Sequence, residues 1–247
     1  MFQLEGPLPT MPEGNVVLVV MAHPDDAEFG CGGTIAKWAA AGKEIHYVLC
    51  TSGDKGSSDP SISPFQLAQT RRKEQLDAAL ALGAKGVSFL SHVDGTLQNT
   101  IDLRRDIVRE IRRFRPDAVI CQDPTQRWVG NRGLNHPDHR AAGDACLDAV
   151  YPSARDPHVF SELLIENLLP HKVREVFVSS QQNAEVWVDV TDTVETKLDA
   201  LAKHVSQVGP NWAERREQMK ERMRTQSRLF NLPFEFAEGY KYLQMSV

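Results

Sequence analysis

Two short runs hold the side chains of this chain best suited to chemistry: His23-Pro24-Asp25-Asp26, directly after an apolar stretch, and His136-Pro137-Asp138-His139, more than a hundred residues later. Together they offer three imidazoles and three carboxylates. A catalytic Zn²⁺ takes three protein ligands of these types and leaves one position for a water, whose pKa falls to about 7. His23 and Asp26, close together in a turn, can point the same way, and His139 can join them from the start of a following helix. Asp25 would then be free as a general base, His136 as a donor to an oxyanion and to a leaving amine, and Asp138 as a carboxylate that orients an imidazole. Each run taken singly has a plainer reading, Asp-Asp as a capped, solvated turn and His-x-x-His as surface chemistry. The combination points to a metal-dependent hydrolase, provided that the fold brings the two runs together.

The elements that must do so are readable from hydrophobic patterning. Val16 to Ala22 is a β-branched run without polar alternation, as expected of a strand buried on both faces of a parallel sheet. After a turn at Gly30 to Gly33, Thr34 to Ala41 predicts a helix closed by Gly42, and Glu44 to Cys50 a second strand. Thr51 to Pro64, rich in Gly, Ser, Asp and Pro, predicts a long loop that contributes to a substrate rim. Helices follow over Leu67 to Leu82 and Ile101 to Phe114, with short strands at Val87 to Leu90 and Ala118 to Cys121. A helix is also expected to start near His139 and run to Val150. The C-terminal third is less regular, with strands expected at Val173 to Val178 and Val186 to Val190 and helices at Val194 to Val208 and Glu214 to Phe230. The alternation predicts one α/β domain over residues 1–247, Rossmann-like, with a mostly parallel doubly wound sheet and helices on both faces. Such sheets carry their sites beyond the carboxyl ends of the strands, and both His/Asp runs fall there.

Composition narrows the class. Among 247 residues, 28 Lys and Arg face 33 Asp and Glu, a net charge of −5 with no basic arm, which argues against a nucleic-acid partner. No stretch approaches the roughly 20 apolar residues of a membrane span. The N-terminal segment, acidic and proline-bearing, lacks the pattern of a secretory signal, so a cytoplasmic protein is expected. Cys31, Cys50, Cys121 and Cys146 lie in apolar segments without a spaced framework and are expected to be reduced and buried.

Other features keep two readings. By spacing alone Arg71 and Glu74 look like a surface pair, though Arg71 could reach a substrate. Trp128 could stack on a sugar or simply cover core. Gly30, Gly32 and Gly33 sit too far from the first strand for a dinucleotide fingerprint, and helix entry and close packing suit them better. His46, His92, His158, His171 and His204 have no partner at metal spacing and read as structural or solvated.

The residues Ala22-His23-Pro24-Asp25-Asp26-Ala27-Glu28, then Gly32-Gly33-Thr34-Ile35, with Asn135-His136-Pro137-Asp138-His139, resemble the LmbE/PIG-L family of zinc-dependent N-acetylglucosaminyl deacetylases. The resemblance continues through Thr51-Ser52-Gly53, Arg71-Arg72-Lys73-Glu74, Val188 to Asp192, His204 to Gln207 and Ala237 to Tyr240. It implies that His23, Asp26 and His139 bind zinc, that Asp25 is the general base, that His136 stabilises the oxyanion and that Arg71 contacts the sugar. It also implies removal of an N-acetyl group from a GlcNAc-type amino sugar and assembly into trimers or hexamers. It leaves open the aglycone, cleavage of a thiol-conjugate amide instead, and Fe²⁺ or Co²⁺ in place of Zn²⁺. Two readings of other classes stand beside it: a sugar-binding protein that retains the metal pocket, and a nucleotide site at the glycine cluster.

Overall fold

The structure is a computed structural model that describes residues 8–130 and 133–246. Residues 1–7 of the N-terminal segment and residues 131 and 132 of the loop before His136 lie outside the described residues.

Strands and helices alternate as β1 (Val16–Met21), α1 (Asp26–Ala40), β2 (Glu44–Thr51), α2 (Pro64–Ala81), β3 (Gly86–His92), α3 (Ile101–Phe114) and β4 (Ala118–Gln122). A two-stranded ribbon, β5 (Trp128–Val129) and β6 (Gly133–Leu134), then precedes α4 (Pro137–Asp148). The remainder comprises β7 (Glu175–Ser179), β8 (Val186–Asp189), α5 (Val194–Leu201), α6 (Val205–Val208), α7 (Trp212–Leu229) and β9 (Ala237–Gln244).

The main sheet has seven strands in the order β3-β2-β1-β4-β7-β9-β8. β1 lies centrally and pairs in parallel with β2 (Val19 opposite Tyr47) and β4 (Val19 opposite Ile120). Its unbroken apolar sequence feeds two layers. Val17, Val19 and Met21 pack with Ile35 and Trp38 of α1 and Leu198 and Leu201 of α5. Leu18, Val20 and Ala22 pack with Leu103 and Ile107 of α3 and Cys146 of α4. Burial on both faces is why this strand shows no polar alternation. The four cysteines are free and buried, as expected.

Local signals set the helix starts. Ser63 and Gln66 form a reciprocal capping box at α2, with Pro64 in its first turn. Thr100 caps α3 by accepting from the Leu103 N–H.

The structure corrects the expectations in three places. α1 begins at Asp26, so the glycine cluster expected to form a turn lies inside a helix that kinks at Cys31. A Cβ at Gly33 would lie 2.7 Å from Cβ of Val190, so this glycine lets the helix approach the end of β8. The helix expected from Val194 to Val208 is two, α5 and α6, separated where His204 turns inward to meet buried Glu28 at 3.2 Å. β9, not foreseen, inserts antiparallel between β7 and β8 and makes the sheet mixed at that edge. Its residues AEGYKYLQ carry no long apolar run, so they gave no strand signal of their own. No helix among the described residues is long and apolar enough to cross a membrane.

Candidate metal centre

The loops after β1, β2, β3 and the segment leading from β4 into α4 open at one edge of the sheet, and there the two His/Asp runs meet. His23 follows β1, and its ring lies 4.7 Å from that of His136 and 5.2 Å from that of His139, centroid to centroid. Ring atoms of all three lie within 4.8 Å of one another. Asp26, the first residue of α1, stands between two of them, with Oδ2 at 3.2 Å from His23 Nδ1 and Oδ1 at 3.1 Å from His139 Nε2. A further contact fixes this carboxylate, since the His23 N–H donates to Oδ2 at 2.8 Å.

Hydrogen bonds select the tautomers. The Asp138 N–H donates to His136 Nδ1 at 3.2 Å, which makes the imidazole the N-cap of α4 and leaves Nε2 as its protonated nitrogen. Asn135 Nδ2 donates to the Gln126 carbonyl at 2.8 Å, so its Oδ1 faces His139 Nδ1 at 3.0 Å and accepts from it. His139 Nε2 is thereby the ring nitrogen turned towards Asp26, placed to ligate a cation shared with that carboxylate. Pro137 at the first helical position starts α4 between the two histidines.

Asp138 is fully buried and receives the N–H groups of Gly95 at 2.7 Å and Leu97 at 3.1 Å, with His23 Nε2 at 3.3 Å. It thus orients His23, and it also holds the loop after β3 in place. Asp94, on that loop, is a residue that the sequence reading missed. Its Oδ1 lies 3.1 Å from His23 Nε2 and its Oδ2 accepts from the Lys55 N–H at 2.8 Å. The one available signal was its place beyond a strand end, ahead of Gly95. His23, Asp94 and Asp138 also offer ligand atoms within 4.8 Å of one another, but these two carboxylates are occupied by backbone N–H groups.

Asp25 takes a left-handed backbone conformation, φ 89° and ψ −24°, which costs a non-glycine residue of order 1–3 kcal/mol. Three contacts hold it there. Its N–H donates to Gln75 Oε1 at 2.9 Å, its Oδ2 lies 3.2 Å from Arg71 Nη2, and its carbonyl accepts from the Phe29 N–H. Gln75 Nε2 in turn donates to Glu28 Oε1 at 2.9 Å, and Glu28 meets His204. Gln75, Glu28 and His204 are all fully buried. Arg71 is likewise buried and donates to the Gly53 carbonyl at 2.8 Å and to the Pro24 carbonyl at 2.5 Å. The surface pair expected of Arg71 and Glu74 is therefore absent: Glu74 is buried and accepts from the Ser206 N–H and hydroxyl. Spacing could not show this, because the neighbours that cover α2 come from residues 23–28, 53–56 and 204–207. Trp128, 60% exposed on β5, covers no core.

The electrostatics follow from four carboxylates converging on one cleft. Burial opposes the charged form of His23, but hydrogen bonds to Asp26 and Asp94 outweigh it and push its pKa up to about 10. Burial also opposes ionisation of Asp26, yet His139 and His23 hold its carboxyl far below the ordinary range. For Asp25, burial and then the Asp26 charge push the carboxyl up to about 7, with Arg71 working against them. Asp94 is held down at about 2 by its His23 and Lys55 contacts, against its burial. Burial, followed by the neighbouring His23 charge, lowers the His136 pKa and favours the neutral ring.

This donor set fits a divalent cation. Asp25, Asp26, Asp94 and Asp138 gather around His23, with Arg71 and Lys55 the arginine and lysine lining the cleft among the described residues, and a divalent ion would take the place of the proton that these carboxylates hold on His23. Two imidazoles and one carboxylate are a common set for Zn²⁺, and they also accept Fe²⁺ or Co²⁺. A cleft of about 340 Å³ opens over these groups, lined also by Phe29, Lys55, Gly56 and Gly95. The long loop after β2 contributes Lys55 and Gly56, as its composition suggested.

The fold and the centre together define a doubly wound α/β protein with a histidine–carboxylate site at the carboxyl edge of its sheet. Residues 18–150 match the family described as GlcNAc-PI de-N-acetylase, PIG-L. The chain belongs to this family. It is 37% identical over 191 residues to the diacetylchitobiose deacetylase of Thermococcus kodakarensis, spanning 77% of this chain and 69% of that one. It is 32% identical to the 1D-myo-inositol 2-acetamido-2-deoxy-alpha-D-glucopyranoside deacetylase of Rhodococcus erythropolis, where the match covers 57% of either chain. Among solved structures, the N,N′-diacetylchitobiose deacetylase of Pyrococcus horikoshii, complexed with an inhibitor, superposes with a TM-score of 0.85 at 29% identity. That superposition covers 94% of this chain and 85% of the other.

Proposed function

We propose that the chain is a metal-dependent hydrolase that removes the N-acetyl group from a GlcNAc-type amino sugar or its conjugate, releasing acetate. The observation that carries this reading is the division of labour in the cleft: one carboxylate, Asp26, lies between two imidazoles, while a second, Asp25, is held apart with a carboxyl poised near neutrality. The relatives' names supply the substrate class.

His23, Asp26 and His139 would hold the cation, Zn²⁺ in the first instance. When bound, it supplies Lewis acidity towards a carbonyl and makes a water acidic enough to attack at neutral pH. Asp25 receives the proton of that water, and the hydroxyl oxygen bonds to the carbonyl carbon. His136 Nε2–H faces the cleft and donates to the carbonyl oxygen as it gains charge. The C–N bond then breaks, the proton returns to the departing nitrogen, and acetate and the free amine leave. Asp138 and Asp94 orient His23, and Arg71 anchors Asp25, so in this chain the arginine acts through the base as well as facing the cleft. The four free, buried cysteines suit a reducing compartment such as the cytoplasm, and the same reading takes residues 1–247 as one catalytic unit.

The test is acetate release from N,N′-diacetylchitobiose and from GlcNAc-inositol by the Zn²⁺-loaded protein, beside Asp25→Asn. The variant should keep its metal and lose about 10²- to 10⁴-fold in kcat, the range for a general base. Near-wild-type turnover by a metal-loaded Asp25→Asn protein would remove Asp25 from the mechanism.

A further inference from the structure

Three cavities adjoin at the first turns of α1. The catalytic cleft shares Asp26, Phe29 and His139 with a second cavity of about 260 Å³, which is lined by the polar side chains of Gln122, Gln126, Asn135 and Gln181. That cavity shares Phe29, Gly30 and Gln181 with a third, of about 530 Å³, between α1, α6, α7 and β9. The three thus form a track leading away from the reacting centre.

The third cavity has a distinctive charge arrangement that originates in α7. Trp212, Arg215, Met219 and Arg222 recur at intervals of three and four, and this stripe lines the cavity. The other basic side chains of α7 lie on a second stripe, Arg216, Lys220, Arg224 and Arg228, and each is paired with a carboxylate of Glu195, Asp199, Glu221 or Glu235. No carboxylate among the described residues pairs with Arg215 or Arg222; Arg215 donates one N–H to the Val208 carbonyl at 2.7 Å. The acid in the cavity wall, buried Glu238, is already neutralised by Lys197 at 2.6 Å and by the N–H groups of Gly33 and Thr34. In a chain of net charge −5, the cavity therefore presents two unneutralised guanidinium groups beside Phe29, Trp212, Met219 and Met223.

We propose that this cavity is a subsite for an anionic group, carboxylate or phosphate, that the substrate carries beyond its acylated sugar. The inference rests on the amino-sugar deacetylase reading. The acylated unit occupies the catalytic cleft, the intervening unit hydrogen-bonds to the Gln122, Gln126 and Gln181 amides of the second cavity, and the distal anion meets Arg215 and Arg222 in the third. Arg215 and Arg222 are both exposed, and their guanidinium forks can bind carboxylate and phosphate oxygens in pairs.

The experiment compares diacetylchitobiose and triacetylchitotriose in three reducing-end forms: the neutral alditol, the aldonate and the 1-phosphate. Affinities are measured by calorimetry on metal-loaded Asp25→Asn protein, which separates binding from turnover, and kcat/KM is measured on wild type. At least one anionic form should bind about tenfold more tightly than its alditol, the preference should collapse towards unity in Arg215→Ala/Arg222→Ala, and it should fade in 0.5 M salt. Equal binding of charged and neutral forms, or a preference that survives the double variant, overturns the subsite. If the preference is present but no form is hydrolysed by wild type, the subsite stands and the deacetylase reading fails.

Discussion

Replacing Gln75 by leucine tests how the base is held. Gln75 is fully buried, accepts from the Asp25 N–H at 2.9 Å and donates to Glu28 at 2.9 Å. Leucine fills a similar volume but strands a buried N–H and removes one donor from a buried carboxylate. At about 1–3 kcal/mol for each stranded group, the variant should lose roughly 2–6 kcal/mol of stability, measured by urea titration. The functional consequence is separate. Asp25 holds a left-handed backbone that its neighbours must enforce, and a displacement of about 1 Å at a reacting group costs on the order of 100-fold. Metal-loaded Gln75→Leu should therefore show kcat lowered about 10- to 100-fold, KM within a few-fold of wild type and full metal content. Gln75→Glu keeps the acceptor for Asp25 while setting a carboxylate against Glu28, so it should recover most of kcat yet remain destabilised. Wild-type kcat in a folded, destabilised Gln75→Leu protein would show that Gln75 serves stability alone and would refute the positioning argument.

Three further outcomes follow from the geometry. His139→Ala should abolish stoichiometric metal, whereas Asn135→Ala, which removes only the partner of His139 Nδ1, should weaken metal affinity about 10- to 100-fold, both read by elemental analysis and chelator competition. His136→Ala should retain metal and lose about 10²- to 10³-fold in kcat, as for an oxyanion donor; unchanged kcat removes it from that role. Gly33→Ala places a Cβ at 2.7 Å from Val190, and an overpacking cost of about 1–3 kcal/mol should outweigh the roughly 0.5–1 kcal/mol that alanine gains over glycine in a helix. Truncation at Val190 in the double variant should restore part of the loss, and an unchanged denaturation midpoint in Gly33→Ala would contradict the packing account.

The sequence by itself determined the parallel half of the sheet and the residues that meet at its edge. Val16 to Met21 could only be a strand buried on both faces, and the alternation through residue 122 left one doubly wound arrangement with its loops on one edge. Pro137 and the two histidines around it specified a helix start that presents imidazoles to that edge. These features are local or periodic, and local features survive projection onto a string of letters.

What the tertiary structure decided is carried by contacts between distant segments. Arg71 and Glu74 look alike by spacing, yet one is committed to Asp25 and the other to Ser206, because α2 is covered by residues 23–28, 53–56 and 204–207. Asp94 joins His23 across 71 positions of chain, and only the parallel pairing of β1, β2 and β3 sets them together. His204 breaks its helix to meet Glu28, an event that no propensity near residue 204 encodes. β9 is a strand because β7 and β8 leave a place between them, and the split of α7 into a paired and an unpaired basic stripe follows from where Glu195 and Asp199 lie. For Arg71, Glu74, Asp94 and His204 the deciding free energy comes from burying a polar or charged group against a particular partner, and the identity of that partner is fixed by the fold.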